Sequence, residues 1–273
     1  MQVSILIENT VGRPLDLLGE HGLSLWVRTP EHQFLYDTGQ SGALVHNAVV
    51  LGVSLREAEA VVLSHGHYDH TGGLRAALKA IGRAVPVLAH PDLFSDHRVS
   101  EPDRFVGIPF SRTELEACGA EFQWTAEPLE IFQGVWASGT VPKTNAFERG
   151  DARMYVLEED RRVPDPLRDD LSLYLDTPGG LVILTGCAHA GVVNITEHAR
   201  AVTGRERIRA IIGGTHLAPV EADHLEKTIA YLKGLDLELL AACHCTGLPV
   251  AARLAAEFGR RFSFGSTGLT FTF

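Results

Sequence analysis

The chain has 273 residues, of which 24 are Lys or Arg and 34 are Asp or Glu, so its formal net charge at pH 7 is −10. Because proteins that bind nucleic-acid phosphates need clusters of basic side chains, this negative net charge argues against a nucleic-acid-binding protein. Hydrophobic residues make up 45% and charged residues 21%, which is typical of a folded chain and excludes a disordered one.

The sequence also argues against membrane insertion and secretion. No apolar run approaches the roughly 18 consecutive residues that span a bilayer, and residues 1–9 lack the basic start, apolar core and cleavage site of a secretion signal. Two of the four cysteines are separated by a single residue, which does not suggest a disulfide framework. We therefore expect a cytoplasmic protein with reduced thiols that acts on a small molecule and has no nucleic-acid or membrane partner. Nothing in the sequence indicates its oligomeric state.

Hydrophobic periodicity predicts alternating strands and helices along the chain. In the first half the predicted elements are, in order, strands 3–8, 23–27 and 33–37, helix 41–51, strand 60–64, helix 71–81 and strand 85–89. In the second half they are strands 170–175 and 180–185, helix 193–202, strand 208–212, helix 221–233, strand 237–242 and helix 250–258. This alternation is typical of α/β proteins. We expect a single domain over residues 1–273, with an irregular insertion around 91–130 suited to covering a site.

The sequence contains thirteen histidines, which differ in their surroundings. Isolated histidines in polar contexts are interpreted as solvated side chains, and these are His21, His32, His97 and His198. Others are expected on helix or strand surfaces, and these are His46, His90 and His224. The remaining histidines belong to patterns that indicate metal chemistry.

The segment from Ser64 to Gly73 reads Ser-His-Gly-His-Tyr-Asp-His-Thr-Gly-Gly and directly follows a predicted buried strand. It places three imidazoles and one carboxylate within six positions, and a loop at a strand end can turn several side chains towards one point. His65 and His67 project to the same side of an extended backbone and suit one metal position, while Asp69 and His70 suit another. Imidazole nitrogen and carboxylate oxygen are ligands for Zn²⁺, Fe or Mn²⁺.

This segment resembles the hallmark of the metallo-β-lactamase fold superfamily, His-x-His-x-Asp-His. Further segments resemble one branch of it, named after the archaeal dihydropterin ribofuranosyl-aminobenzene phosphate synthases. Those segments are Glu8-Asn9-Thr10, Asp37-Thr38-Gly39-Gln40-Ser41, Leu63 to Leu74, Thr185-Gly186-Cys187-Ala188-His189-Ala190-Gly191 and His244-Cys245-Thr246-Gly247. The resemblance implies a four-layer αββα sandwich with one or two divalent metal ions at one edge of its two sheets. Zinc is the preferred metal, and manganese and iron are the alternatives.

The resemblance also implies metal ligands from the second half of the chain. His244 follows a buried strand and matches the final ligand histidine of the superfamily. Cys243 and Cys245 are then expected to point away from it, because alternate residues of a strand face opposite sides. A metal site formed by the Cys-x-Cys pair alone is the lesser alternative. His189 is favoured as a further ligand because a neutral imidazole needs no thiolate formation, and Cys187 is the open alternative.

Other residues are assigned supporting roles by the same resemblance. Asp37 is expected to orient ligand histidines by accepting their other ring N–H. Asp170 stands, with Asp169, where the superfamily usually has a histidine, and is a possible additional ligand. Lys143 lies in a segment where this branch usually carries arginine, and is a candidate for binding a substrate phosphate. His216 is assigned to substrate contact or proton donation, with a purely structural role as the alternative.

The favoured function is hydrolysis by a metal-activated water. A divalent ion lowers the pKa of bound water from about 15.7 to about 7, which supplies hydroxide at neutral pH. Asp69 is then both ligand and proton acceptor, and either His216 or a metal-bound water protonates the leaving group. We expect a phosphodiester or another phosphate-bearing, pterin-like small molecule as substrate. The alternatives are a pterin-related synthase or transferase, like the enzymes that give the branch its name, and a metal-binding sensor without turnover.

Overall fold

The computed structural model describes residues 1–159 and 161–273. These residues form two compact units. Unit 1 comprises Met1–Thr125, Ala152–Asp169 and Ser266–Phe273, and unit 2 comprises Ala126–Asp151 and Asp170–Gly265. The single domain expected over 1–273 stays a prediction. Among the described residues, no helix combines the length and the apolar character needed to cross a membrane.

Both units contain strands and helices, numbered here in chain order. The strands are β1 (Gln2–Ile7), β2 (Ser24–Arg28), β3 (Gln33–Tyr36), β4 (Val61–Val62), β5 (Val85–Ala89), β6 (His97–Ser100), β7 (Asp103–Phe105), β8 (Ala120–Trp124), β9 (Leu129–Phe132), β10 (Val135–Ala137), β11 (Met154–Glu158), β12 (Arg161–Pro164), β13 (Leu173–Thr177), β14 (Gly180–Thr185), β15 (Ile208–Gly214), β16 (Leu239–Cys243), β17 (Phe262–Phe264) and β18 (Thr270–Thr272). The helices are α1 (Ala43–Val50), α2 (Tyr68–Thr71), α3 (Leu74–Ile81), α4 (Arg112–Ala117), α5 (Val192–Thr203), α6 (Ala222–Gly234) and α7 (Leu248–Phe258). The α/β class predicted from the sequence is confirmed.

The main sheet of unit 1 has the strand order β18-β1-β2-β3-β4-β5-β8. Strands β3, β4, β5 and β8 run parallel to one another, and β4 consists of two fully buried valines. Helices α1 and α3 bury leucine side chains in the same apolar core, and each such leucine stabilises the fold by about 2 kcal/mol. Since parallel strands end at the same edge of a sheet, Asp37 after β3 and His65 after β4 emerge close together.

A second, antiparallel sheet of unit 1 has the strand order β12-β11-β6-β7. It joins distant parts of the chain, because Val156 of β11 lies opposite His97 of β6, about 60 residues earlier. The range 91–130, expected to be irregular, therefore contains β6, β7, α4 and β8. Local sequence patterns do not predict β6, because its partner strand is remote in sequence. Helix α4, in contrast, does carry a local signal, which is the capping box of Ser111 and Glu114.

The sheet of unit 2 has the strand order β17-β16-β15-β14-β13-β10-β9, in which β14 to β17 run parallel. Helices α5, α6 and α7 bury their apolar faces in the core of this unit. The carboxyl ends of β14, β15 and β16 share one edge of the sheet. The segments that follow these strands carry Cys187 and His189, His216, and His244, respectively. Parallel pairing thus gathers the predicted ligands of the second half at one edge of unit 2.

Candidate metal centre

Unit 1 brings together the histidines of the predicted metal-binding segment. His65 and His67 follow β4 and His70 lies in the one-turn helix α2, and all three are buried. Nε2 of His65 is 3.0 Å from Nδ1 of His67, and the ring centroids of His65 and His70 are 4.2 Å apart. Nδ1 of His65 lies 2.8 Å from the hydroxyl of Ser64. These contacts direct the other ring nitrogen of His65 towards its neighbouring imidazole.

Asp69, the carboxylate of the same segment, is also buried. Its Oδ2 lies 3.1 Å from Nε2 of His21, whose side chain is 51% exposed. His21 was expected to be only a solvated side chain, since no local pattern in the sequence connects it with Asp69. The structure therefore adds His21 to the surroundings of the predicted ligands.

Asp37 makes the contacts expected of a residue that orients a ligand. It is fully buried, with a positive φ of 58°. Its Oδ1 accepts the backbone N–H of Ser64 at 2.7 Å, and its Oδ2 lies 2.7 Å from the Ser64 hydroxyl and 2.7 Å from Nδ1 of His70. A carboxylate at Nδ1 holds the proton on that nitrogen, so Nε2 of His70 presents a lone pair for a metal.

Asp37→Asn is expected to lower the affinity for the bound metal by about 10- to 100-fold, because the amide no longer holds the His70 tautomer as a carboxylate does. The dissociation constant can be measured by competition with a chromogenic chelator. Asp16→Asn, at a side chain that is 89% exposed, is the matched control. An unchanged dissociation constant in Asp37→Asn would contradict the orienting role.

His97 is buried, so its interpretation as a solvated histidine is wrong. Pairing of β6 with β11 turns it inwards, where Nδ1 lies 2.6 Å from Oδ2 of Asp165 and Nε2 lies 3.3 Å from Oδ2 of Asp169. Burial alone would lower the pKa of His97, but its hydrogen bonds with the two carboxylates raise it to about 10. His97 is therefore charged at neutral pH. In the sequence, the position of His97 two residues before the apolar Val99 is the signal that indicates an inward-facing side chain in a strand.

The ion cluster of Asp165, His97 and Asp169 contacts the metal-binding segment. Oδ2 of Asp169 accepts the backbone N–H of Gly66 at 2.7 Å. A Cβ atom on Gly66 would lie 3.1 Å from the His97 ring and would clash with the carbonyl oxygen of Leu93, so glycine is required there. The His97 and His67 ring centroids are 5.3 Å apart. Burial, followed by the charge on His97, lowers the pKa of His67 to about 4, which keeps it neutral as metal binding requires.

The prediction that His90 lies on a helix or strand surface is wrong, because its side chain is buried.

Unit 2 brings together a second set of predicted residues. The ligand atoms of Cys187, His189 and His216 all lie within 4.8 Å of one another, and the ring centroids of His189 and His216 are 4.2 Å apart. Burial alone would lower the pKa of His216, but its contacts with Asp151 and Cys245 raise it to about 9. Nε2 of His216 is 3.5 Å from Oδ2 of Asp151. The imidazole is thus protonated at neutral pH.

His244 lies in a second group, whose ligand atoms, from Cys187, His244 and Cys245, are again within 4.8 Å of one another. The expectation that Cys245 points away from His244 is therefore wrong. Strand alternation stops at Cys243, the last residue of β16, because residues 244–246 form a 3₁₀ turn in which His244 has a φ of 53°. Burial alone would raise the pKa of the Cys245 thiol, but hydrogen bonds with Cys187 and His216 and the nearby His244 hold it well below its usual value.

The remaining predicted residues of unit 2 lie near the start of α5. Asp170 is buried and its Oδ2 accepts the backbone N–H of Ala190 at 2.8 Å, which steadies the loop that carries His189. Lys143 is exposed, and its Nζ approaches Gly150. The role of Lys143 in phosphate binding and the role of Asp170 as a metal ligand stay predictions.

Glu148 is a buried residue of this region to which sequence reasoning gave no role. Its carboxylate accepts the backbone N–H groups of Val193 and Asn194 at 2.8 Å each, at the first turn of α5. Oδ1 of Asn194 in turn accepts the N–H of Thr144 at 2.9 Å. The segment around Lys143 is thereby attached to α5. Only the fold reveals this contact, since Glu148 and its partners lie about 45 residues apart.

A small pocket of about 20 Å³ opens beside the ligands of unit 2. Its lining includes the imidazoles of His189 and His216, the side chain of Glu148 and the apolar side chains of Val192 and Val220. A pocket of this size next to candidate metal ligands has room for about one water molecule.

The comparisons with known proteins define the class to which this architecture belongs. The family model of the metallo-β-lactamase superfamily matches residues 18–244. The chain therefore belongs to the metallo-β-lactamase superfamily, and both the resemblance and the metallo-β-lactamase fold predicted from the sequence are confirmed.

One relative by sequence and two solved structures are similar to this chain over nearly its whole length. A 7,8-dihydropterin-6-methyl-4-(β-D-ribofuranosyl)-aminobenzene-5′-phosphate synthase of Methanocaldococcus jannaschii is 28% identical over 273 residues, covering 96% of this chain and 93% of the synthase. The crystal structure of Tm1679, a metal-dependent hydrolase of the β-lactamase superfamily, matches with a TM-score of 0.85 and 26% identity, over 100% of this chain and 99% of its own. Zn²⁺-bound PqqB from Methylobacterium extorquens matches over 100% of both chains with a TM-score of 0.60 and 16% identity, which shows the fold alone.

The donor atoms of both units fit a divalent transition metal. Members of this superfamily bind divalent metals, and the described residues offer imidazole nitrogen, carboxylate oxygen and thiol sulfur in buried groups. A hard ion such as Mg²⁺ prefers oxygen ligands, whereas this mixture is typical of zinc and its neighbours. The residues present therefore suit the metal that the superfamily implies.

Proposed function

We propose that this protein is a metal-dependent hydrolase of a phosphate-bearing small molecule. The observation that carries the proposal is the buried group of His65, His67 and His70, in which Ser64 contacts His65, Asp37 contacts His70, and His65 contacts His67. Hydrogen-bonded neighbours that orient ligand nitrogens are typical of metal sites, so these contacts favour a role in binding an ion. Membership of a superfamily with a metal-dependent hydrolase among its structural relatives supports the same reading.

The proposed metal ligands come from both halves of the chain. Unit 1 offers His65, His67, Asp69 and His70, and unit 2 offers His189 and His244, with Cys187 and Asp170 as additional ligands. When bound, the ion supplies a water of lowered pKa and polarises the oxygen under attack.

The chain's own residues then hold substrate and move protons. Asp69 takes a proton from the attacking water, and the contact of its Oδ2 with His21 holds the carboxylate in place. His216 is the proton donor to the leaving group, since the carboxylate of Asp151 keeps it protonated at neutral pH. Lys143, on the segment attached to α5, provides the cation for the substrate phosphate.

The substrate class is proposed from the relatives. The curated relative of M. jannaschii is a synthase acting in dihydropterin and ribofuranosyl-aminobenzene phosphate chemistry, as its name states, and is similar over almost the whole chain. We therefore propose a phosphate-bearing, pterin-like molecule or a phosphodiester as the substrate. The same similarity favours a second candidate, a pterin-related synthase or transferase.

Metal analysis followed by a substrate screen tests the proposal. The protein is purified without chelator, its metals are quantified by elemental analysis, and the metal-loaded form is assayed with bis(p-nitrophenyl) phosphate, phosphomonoesters, thioesters and lactones. We expect hydrolysis of the phosphodiester that a chelator abolishes and added metal restores. Formation of a joined product from pterin and ribosyl-aminobenzene phosphate, without hydrolysis, would favour the synthase. A metal-replete protein inert in every assay would favour the sensor.

A further inference from the structure

We propose that Cys245 is a metal ligand, and that Cys187, His244 and Cys245 form a sulfur-containing subsite in unit 2. The inference rests on the proposed function in that it presumes a divalent ion. It adds the thiolate of Cys245, which strand alternation predicted to point away from His244. It also restricts the resident metal to an ion that accepts thiolates.

The first argument is proximity. One ligand atom from each of the three side chains lies within 4.8 Å of the other two. In a tetrahedral zinc site with bonds of about 2.3 Å to sulfur and about 2.0 Å to nitrogen, ligand atoms are separated by about 3–4 Å. A small inward movement of the side chains around an ion therefore brings the group to coordination distance.

The second argument is the hydrogen bonding of the Cys245 sulfur. Sγ of Cys245 accepts the backbone N–H of His216 at 3.3 Å, and its S–H donates to the carbonyl oxygen of Cys187 at 3.3 Å. Metal binding breaks the S–H bond, the proton passes to solvent, and the sulfur keeps its electron pair for the ion. The N–H of His216 continues to donate to the resulting thiolate and stabilises its charge.

The third argument is the backbone that brings the two cysteines together. A Cβ atom on Gly214, at the end of β15, would lie 2.6 Å from Sγ of Cys245 and 3.2 Å from Cα of Cys187. The glycine therefore leaves room for the approach of the two segments. Both segments also carry a non-glycine residue of positive φ, with 59° at Ala188 and 53° at His244. Such strain, concentrated beside candidate ligands, is typical of functional sites.

Cobalt substitution tests the proposal with a spectroscopic readout. The metal-free protein is loaded with Co²⁺, and the near-ultraviolet sulfur-to-cobalt charge-transfer band is recorded. We expect a clear band in the wild type, a weaker one in Cys245→Ser and in Cys187→Ser, and none in the double variant. Cys118→Ser and Cys243→Ser are the matched controls and are expected to keep the full band, because neither cysteine belongs to the group.

A second measurement on the wild-type protein avoids dependence on the folding of the variants. Bound zinc is expected to protect Cys187 and Cys245 from alkylation by iodoacetamide, and mass spectrometry of the digested protein identifies the protected positions. Co²⁺ binding with an unchanged band in Cys245→Ser, or equal alkylation of Cys245 with and without zinc, would overturn the inference while leaving the proposed hydrolase intact. A protein that binds no divalent metal at all would overturn both.

Discussion

The His67→Ala variant is expected to lose hydrolytic activity by about three orders of magnitude or more and to retain less bound metal than the wild type. His67 is buried and neutral, and its Nδ1 lies 3.0 Å from Nε2 of His65. In the proposed function, its removal deletes a ligand that the ion needs to activate water. Because the imidazole is uncharged in the fold, its loss leaves no buried charge without compensation, and the variant is expected to fold.

Two further variants make this result interpretable. His46→Ala, on α1, removes a half-buried histidine whose Nε2 contacts the backbone oxygen of Asp16, and is expected to keep wild-type activity. His244→Ala tests the contribution of unit 2 and is expected to lose metal and activity as His67→Ala does. Wild-type activity in His67→Ala would refute the metal assignment. Loss in His67→Ala with full metal and activity in His244→Ala would restrict the assignment to unit 1.

Replacing His97 by glutamine is expected to lower the free energy of unfolding by about 3–5 kcal/mol, because it removes the cation between two buried carboxylates. Both Asp165 and Asp169 are almost fully buried next to His97. The free energy is measured by urea denaturation at neutral pH. His32→Gln is the matched control, since His32 forms a similar contact with Glu59 at 2.9 Å but at the surface, where such pairs contribute about 0–1 kcal/mol.

The same cluster predicts a pH dependence. The pKa of His97 is raised to about 10 in the folded protein, against about 6.5 for an unfolded histidine. The stabilisation is therefore fully present below about pH 6.5 and is lost as the pH rises towards about 10. We expect the free energy of unfolding of the wild type to fall across this range more steeply than that of His97→Gln. Parallel curves for the two proteins would contradict the charged state of His97.

The sequence predicts those parts of the site that depend on adjacent residues. The His-x-His-x-Asp-His spacing after a buried strand identifies the segment from His65 to His70, because a strand end and its loop are local features. The role of Asp37 was assigned by the superfamily resemblance, and the structure places this residue directly after β3, which pairs in parallel with β4. The alternating periodicity likewise predicts the α/β class.

Contacts between distant segments could not be predicted in this way. His97 is buried by a strand partner about 60 residues away, and its polar neighbours in the sequence made it resemble a surface residue. The direction of Cys245 was predicted wrongly because β16 ends two residues before it, at Cys243, and the chain then turns, so strand alternation no longer applies. The role of Glu148 depends on backbone groups of a helix that begins more than forty residues later.

The carboxylate of Glu148 has a consequence for how phosphate is recognised. Amide groups at the start of a helix attract anions, but the amides of Val193 and Asn194 already donate hydrogen bonds to the carboxylate of Glu148. An incoming phosphate would have to displace a buried side chain to bind there. In the proposed function, recognition of the phosphoryl group then depends on a cationic side chain such as Lys143 and on the ion, and its strength should decline as ionic strength increases.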